Sequence, residues 1–129
     1  MRLLLDTHAA IWAISQPRLL PDRIRGLIEE PANQIHVSAA SIFEIAIKHR
    51  LGKRSAPPLS GTQAVKAFRE VGYLLLDILP EHATAVDDLP LAYGDPFDRL
   101  LVAQAIVEPM YLVTHDRTIA SYVDTAITW

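Results

Sequence analysis

Leu3, Leu4 and Leu5 form an unbroken run that stops at Asp6. A short apolar run closed by a polar residue marks a strand buried on both faces, as in a parallel sheet. Such a strand constrains everything after it. Further strands must pair beside it, and helices must cover both faces, because neither face can be left to water. Asp6 falls at the carboxyl end of this strand, the edge of an open α/β sheet where ligands bind. Taken alone, Asp6 has a plainer explanation: an aspartate between a strand and a helix commonly caps the helix through a backbone N–H.

The chain of 129 residues has the length of one domain, residues 1–129, and enough apolar content (50%) to bury a core without staples. The absence of cysteine excludes disulfides and thiolate metal sites and favours a cytoplasmic setting. No run approaches the roughly 20 apolar residues of a spanning helix. A strand beginning at Arg2 leaves no room for a signal peptide, so no membrane association is expected. The net charge of −3 does not advertise a nucleic-acid binder, which puts the weight on where the charges sit.

Along the chain, residues 7–14 predict a short helix with His8 and Trp12 one turn apart, ended by Pro17 and Pro21. A second helix runs from Asp22 to about Glu30, and residues 35–38 read as the second strand. A helix over 42–49 is apolar nearly all round its first two turns, which predicts that it is largely buried. Glu44 sits in the middle of it, where an ionised carboxylate is expensive unless compensated. The plain explanation is an ion pair with Lys48 at i+4. Residues 48–54 are the densest basic run, ordinarily a solvated helix end that complements the dipole. A loop over 56–61, a helix over 62–71 and a third strand over 73–76 follow, then a helix over 80–88 and a loop over 90–94.

Asp95 and Pro96 make a good cap and first position for the next helix. Asp98 lies one turn inside it, with Leu101, Val102 and Ala105 at i+3, i+4 and i+7. The helix dipole accounts for an aspartate this near the start, but not for its place on the apolar stripe. Residues 110–113 read as a fourth strand, followed by Thr114, His115 and Asp116 in a repeat of the first strand-to-helix unit. A short helix over 117–123 and an edge strand over 126–129 complete the chain.

Strands alternating with helices predict an α/β fold: a three-layer sandwich with a mainly parallel sheet of about five strands and helices on both faces. The separate plain explanations for Asp6, Glu44, Asp98 and Asp116 must all hold at once. One explanation covers the four, namely convergence at the carboxyl edge of the sheet. Carboxylates packed together repel and retain protons unless a cation neutralises them, and hard oxygen ligands without cysteine suit Mg²⁺ or Mn²⁺.

The sequence resembles the PIN-domain ribonucleases, and among them the VapC-type toxins of bacterial toxin–antitoxin pairs. The matching stretches are Leu4 to His8 with Trp12, Ser41 to Lys48 around Glu44, Asp95 to Leu101 with Ala103 to Ala105, and Leu112 to Asp116. They span essentially the whole chain. The resemblance places the acidic quartet of that family on Asp6, Glu44, Asp98 and Asp116, with Asp95 as a helper and the Thr114 hydroxyl supporting the last acidic site. It implies Mg²⁺- or Mn²⁺-dependent hydrolysis of RNA phosphodiesters, with Asp6 and Asp98 as direct ligands and Glu44 and Asp116 completing the shell or orienting water. It also implies a homodimer and an antitoxin that inserts a segment into the groove. Because the chain is acidic overall, RNA must be drawn by local cations, with Lys48, Arg50, Lys53 and Arg54 as candidates. Two other readings stay open. One is a PIN-fold module that binds without cutting. The other is a phosphoaspartyl hydrolase with Asp6 as nucleophile, which His8 disfavours because that chemistry wants a second aspartate there. The identity of the RNA is not legible in the sequence.

Overall fold

A computed structural model describes residues 1–90 and 95–129. The loop predicted over 90–94 therefore lies, beyond Pro90, outside the described residues. The five strands are β1 (Arg2–Leu5), β2 (Gln34–Ser38), β3 (Leu74–Leu76), β4 (Tyr111–Val113) and β5 (Ala126–Ile127). They form one wholly parallel sheet in the order β3-β2-β1-β4-β5. The leucine run is the central strand, with Leu4 paired to His36 on one side and to Leu112 on the other.

Side chains alternate across a strand, so the three leucines serve two cores. Leu3 and Leu5 pack with Val37 beneath helices α1 (Thr7–Ser15), α2 (Asp22–Glu29), α3 (Ala39–Leu51) and α4 (Gly61–Glu70). Leu4 packs on the other face with Leu112 beneath α6 (Pro96–Val107) and α7 (Arg117–Ala120). Helix α5 (Pro80–Ala85) precedes α6 and is joined to it by His82 Nε2 and Glu108 Oε2, 2.6 Å apart. The three layers expected from the sequence are thus present. Several predicted ends are shorter here: β3 starts at Leu74, α7 stops at Ala120 and β5 covers two residues.

Helix α3 begins earlier than its apolar pattern suggested, because Ser38 caps it by accepting the Ala40 N–H at 3.0 Å. It is also less buried than predicted. Ile45 and Ala40 face the core, but Phe43 is 60% exposed, and Ile47 and Leu51, one and two turns on, are exposed as well. Gly52, at φ 64°, ends the helix in the left-handed conformation that glycine adopts without strain. The following helix α4 lies close against it: a Cβ placed on Gly61 would stand 2.8 Å from the Ala46 Cβ.

Strand order reverses at β1. From it the chain moves outward to β2 and β3, then crosses back to β4 on the other side. The carboxyl ends of β1 and β4 are therefore adjacent, and the chain departs from them in opposite directions. This opens the crevice in which α/β sheets bind ligands.

Candidate active site

Asp6 leaves β1 at that crevice, nearly buried, and is held from two sides. One carboxylate oxygen accepts the Ala9 N–H at 2.8 Å, so the capping explanation for Asp6 is correct as far as it goes. The other accepts the Thr114 hydroxyl at 2.5 Å, which capping does not require. Thr114 is fully buried at the end of β4, and its oxygen also accepts the Asp116 N–H at 3.1 Å. The hydroxyl thus serves the first aspartate directly and the last one only through its backbone. Burial pushes the Asp6 carboxyl above the usual carboxylate range, and nearby Glu44 adds to this. The Thr114 and Ala9 hydrogen bonds and nearby His8 oppose it.

Glu44 reaches the same place from α3. It is 3% exposed, ion-paired with Lys48, and accepts the Thr7 hydroxyl at 2.7 Å. Thr7 lies in turn 3.0 Å from Ser41 Oγ. The helix-pair explanation holds for Lys48, whose ammonium is raised chiefly by its hydrogen bond to Glu44. Thr7 and Ser41 are polar groups that sequence reasoning passed over. Their signal was buried hydroxyls beside a buried acid, visible only once the two helices are packed together.

Asp98 extends from the first turn of α6, where Asp95 caps the helix by accepting the Phe97 N–H at 2.8 Å and the Asp98 N–H at 3.3 Å. Asp116 caps α7 through the Thr118 and Ile119 N–H groups. Asp98, like Asp6, is shifted upward. Its carboxyl is pushed up to about 7, first by burial and then by the negative charges of Asp95, Glu44, Asp6 and Asp116.

All four members of the quartet, together with Asp95, line one open cleft of about 390 Å³. Thr7, His8, Trp12, Lys48, His115 and Ile119 complete its walls. Of the four basic candidates, Lys48 alone is on this wall. Arg50, Lys53 and Arg54 stay exposed on the last turn of α3 and the loop after it. Among the described residues, no three acidic or imidazole groups are already drawn together tightly enough to clasp an ion. The donor set nonetheless fits a hard divalent cation. It offers carboxylate oxygens, and burial together with the neighbouring negative charges pushes the Asp98 carboxyl up to about 7.

Comparison with known proteins agrees with this geometry. The PIN domain profile matches residues 3–124. Ribonuclease VapC22 of Mycobacterium tuberculosis is 36% identical over 124 residues, which are 93% of this chain and 91% of the relative. Two solved structures share the fold. VapBC2 from Rickettsia felis, bound to a DNA fragment from its promoter, superposes with a TM-score of 0.74 at 17% identity, over 100% of this chain and 99% of its own. DNA-bound VapBC from Salmonella typhimurium gives 0.70 at 16% identity, over 100% and 97%. No helix among the described residues is long and apolar enough to cross a membrane. A profile match across nearly the whole sequence, on a parallel sheet that gathers its carboxylates at the switch between β1 and β4, means that the chain belongs to the PIN domain family.

Proposed function

We propose that this chain is a divalent-metal-dependent endoribonuclease, the toxin of a type II toxin–antitoxin pair, and that residues 1–129 act as one domain in the cytoplasm. Its substrate is RNA and its regulator a cognate antitoxin protein. The observation that carries the reading is the convergence of Asp6, Glu44, Asp98 and Asp116 from four separate elements on one cleft, where burial first and then the neighbouring carboxylates push Asp98 up to about 7. A purely structural set of caps and ion pairs has no reason to meet.

Asp6 and Asp98 are assigned as the residues that hold Mg²⁺ or Mn²⁺, with Glu44 and Asp116 completing the shell. Such an ion supplies Lewis-acid charge at a phosphate oxygen and a bound water of lowered pKa. The chain's own residues do the rest. Thr114 and the Ala9 N–H fix Asp6 in one rotamer, and Thr7 and Lys48 fix Glu44. Preorganised groups of this kind need no rearrangement as charge develops. Asp95 holds the helix start that presents Asp98, and Lys48 offsets negative charge where a phosphate must approach. Arg50, Lys53 and Arg54 draw the RNA backbone from further out. The exposed apolar stripe of Phe43, Ile47 and Leu51 is the surface a second copy covers in the homodimer.

The test is incubation of the purified, antitoxin-free protein with total RNA in Mg²⁺ or Mn²⁺, beside EDTA and the Asp98→Asn variant. Cleavage that requires both the metal and Asp98 is expected. Cleavage indifferent to either sinks the assignment. Absence of both cleavage and Mn²⁺ binding would favour a PIN-fold module that only binds.

A further inference from the structure

Beside the carboxylate cleft lies a second, smaller cavity of about 200 Å³. Walls that it does not share with the cleft include Ile11 from α1, Gln16 just after that helix, and Ser55, Pro57 and Pro58 from the loop after α3. It is continuous with the cleft, since Thr7, His8, Trp12, Glu44 and Lys48 line both. We propose that this side pocket receives a single unstacked nucleobase of the RNA strand whose phosphodiester lies in the cleft, with Trp12 as the stacking surface. The assignment rests on the ribonuclease reading and adds a recognition subsite to it.

Size, shape and charge lead to this occupant. Pockets that take whole small molecules measure roughly 300–1,000 Å³. One of 200 Å³ opening into a larger cleft suits a fragment of a longer molecule seated across its mouth. An indole and two prolines give flat apolar walls, to which a base presents a complementary face. The Gln16 amide and the Ser55 hydroxyl provide donors and acceptors of the kind that read a base edge.

The platform is fixed before any ligand arrives. Trp12 meets His115 edge-on at 6.3 Å and Trp129 at 6.2 Å, while those two rings stack on each other at 4.9 Å. His115 is itself tied by its Nδ1 to the Trp129 carbonyl at 2.7 Å. On the opposite wall, the His49 ring nitrogen holds the Pro57 carbonyl at 3.0 Å, and the Ala56 N–H donates to the Lys53 carbonyl at 2.8 Å. Lys53 and Arg54 are therefore on the same pinned loop as the pocket wall, with Arg50 one turn before it. A strand that leaves its base here runs its phosphates between Lys48 and these cations. This gives the exposed basic run a use that the cleft alone does not.

The experiment uses the full chain in EDTA, so binding is read independently of cleavage. The probes are labelled single-stranded RNA hexamers of each of the four bases and an abasic hexamer of ribose phosphate. Trp129→Phe leaves Trp12 as the remaining indole, and saturable quenching by at least one base-bearing hexamer is expected. By anisotropy, Trp12→Ala should weaken that hexamer roughly 5- to 150-fold, the range of one base–aromatic stack. Ser55→Phe, an exposed position that fills the mouth without touching the core, should weaken it comparably. Trp12→Phe should retain most of the affinity, and the abasic hexamer should bind every variant alike and weakly. Equal affinity of the base-bearing hexamers for the unsubstituted chain, Trp12→Ala and Ser55→Phe overturns the proposal and leaves the pocket to a protein segment. Hexamers no tighter than the abasic control overturn it too. If metal-dependent cleavage continues while these affinities stay unchanged, the pocket assignment fails alone. If no RNA is cut yet Trp12 is quenched as described, the ribonuclease reading is what fails.

Discussion

At the scale of single residues, the site is a contest between burial and charge. Asp98 illustrates its consequence. Its carboxyl titrates near 3.8 in an unfolded chain and at about 7 in the folded one. Between those values the folded chain holds a proton that the unfolded chain has released, so stability falls as pH rises through that window. Asp6, also raised, acts with the same sign. The metal-free protein is therefore expected to melt at a higher temperature at pH 5 than at pH 8, with Asp98→Asn flattening the difference; a melting temperature that climbs with pH would contradict this. Thr114 makes the converse point. Thr114→Val keeps the shape but removes the hydroxyl that donates to Asp6 and accepts the Asp116 N–H. Unpairing a buried polar group costs about 1–3 kcal/mol, so denaturant unfolding should show a loss of that size together with reduced RNA cleavage. The sequence marked Thr114 as a helper, but which carboxylate its hydroxyl meets depends on β1 and β4 being neighbours, although 108 residues separate the two groups.

Individual elements were legible to the extent that their reasons were local. The leucine run and the Asp95–Pro96 helix start are read correctly because each follows from neighbouring residues. The exposure of Phe43 on α3 was not legible. An apolar residue on a helix looks buried until the neighbouring helices are in place, and here they cover the Ile45 face and leave the Phe43 face open. Nor was the tightness of the α3–α4 contact. Gly61→Ala puts a methyl group 2.8 Å from the Ala46 Cβ, which obliges the helices to separate. Overpacking of this kind costs roughly 1–3 kcal/mol, and thermal unfolding should register it despite the better helix propensity of alanine. An unchanged melting temperature would mean that the helices part freely.

At the scale of the whole molecule, the order β3-β2-β1-β4-β5 turns scattered carboxylates into one site. Reversal of direction at β1 leaves the ends of β1 and β4 side by side, and α3 and α6 come in from opposite faces to meet there. The same folding leaves Phe43, Ile47 and Leu51 facing water in the monomer. Sedimentation analysis should find the chain dimeric and Phe43→Glu monomeric with its fold retained, as judged by circular dichroism. A wild-type monomer at micromolar concentration would remove the stripe from consideration as the homodimer surface.

The sequence by itself determined the strands, most helix boundaries and the residue types able to bind a hard cation, since periodicity, capping and ligand chemistry act over a few residues. It pointed to the four carboxylates because four separate local explanations would have had to hold at once, and the resemblance to the PIN-domain ribonucleases placed an acidic quartet on the same residues. Only the tertiary structure decided that Thr7 and Ser41 attend Glu44, that Lys48 faces the cleft while Arg50, Lys53 and Arg54 do not, and that Trp12 lines both the cleft and a second pocket. These are contacts between elements far apart in the chain, and their partners are selected by strand order and helix packing, which no local pattern encodes.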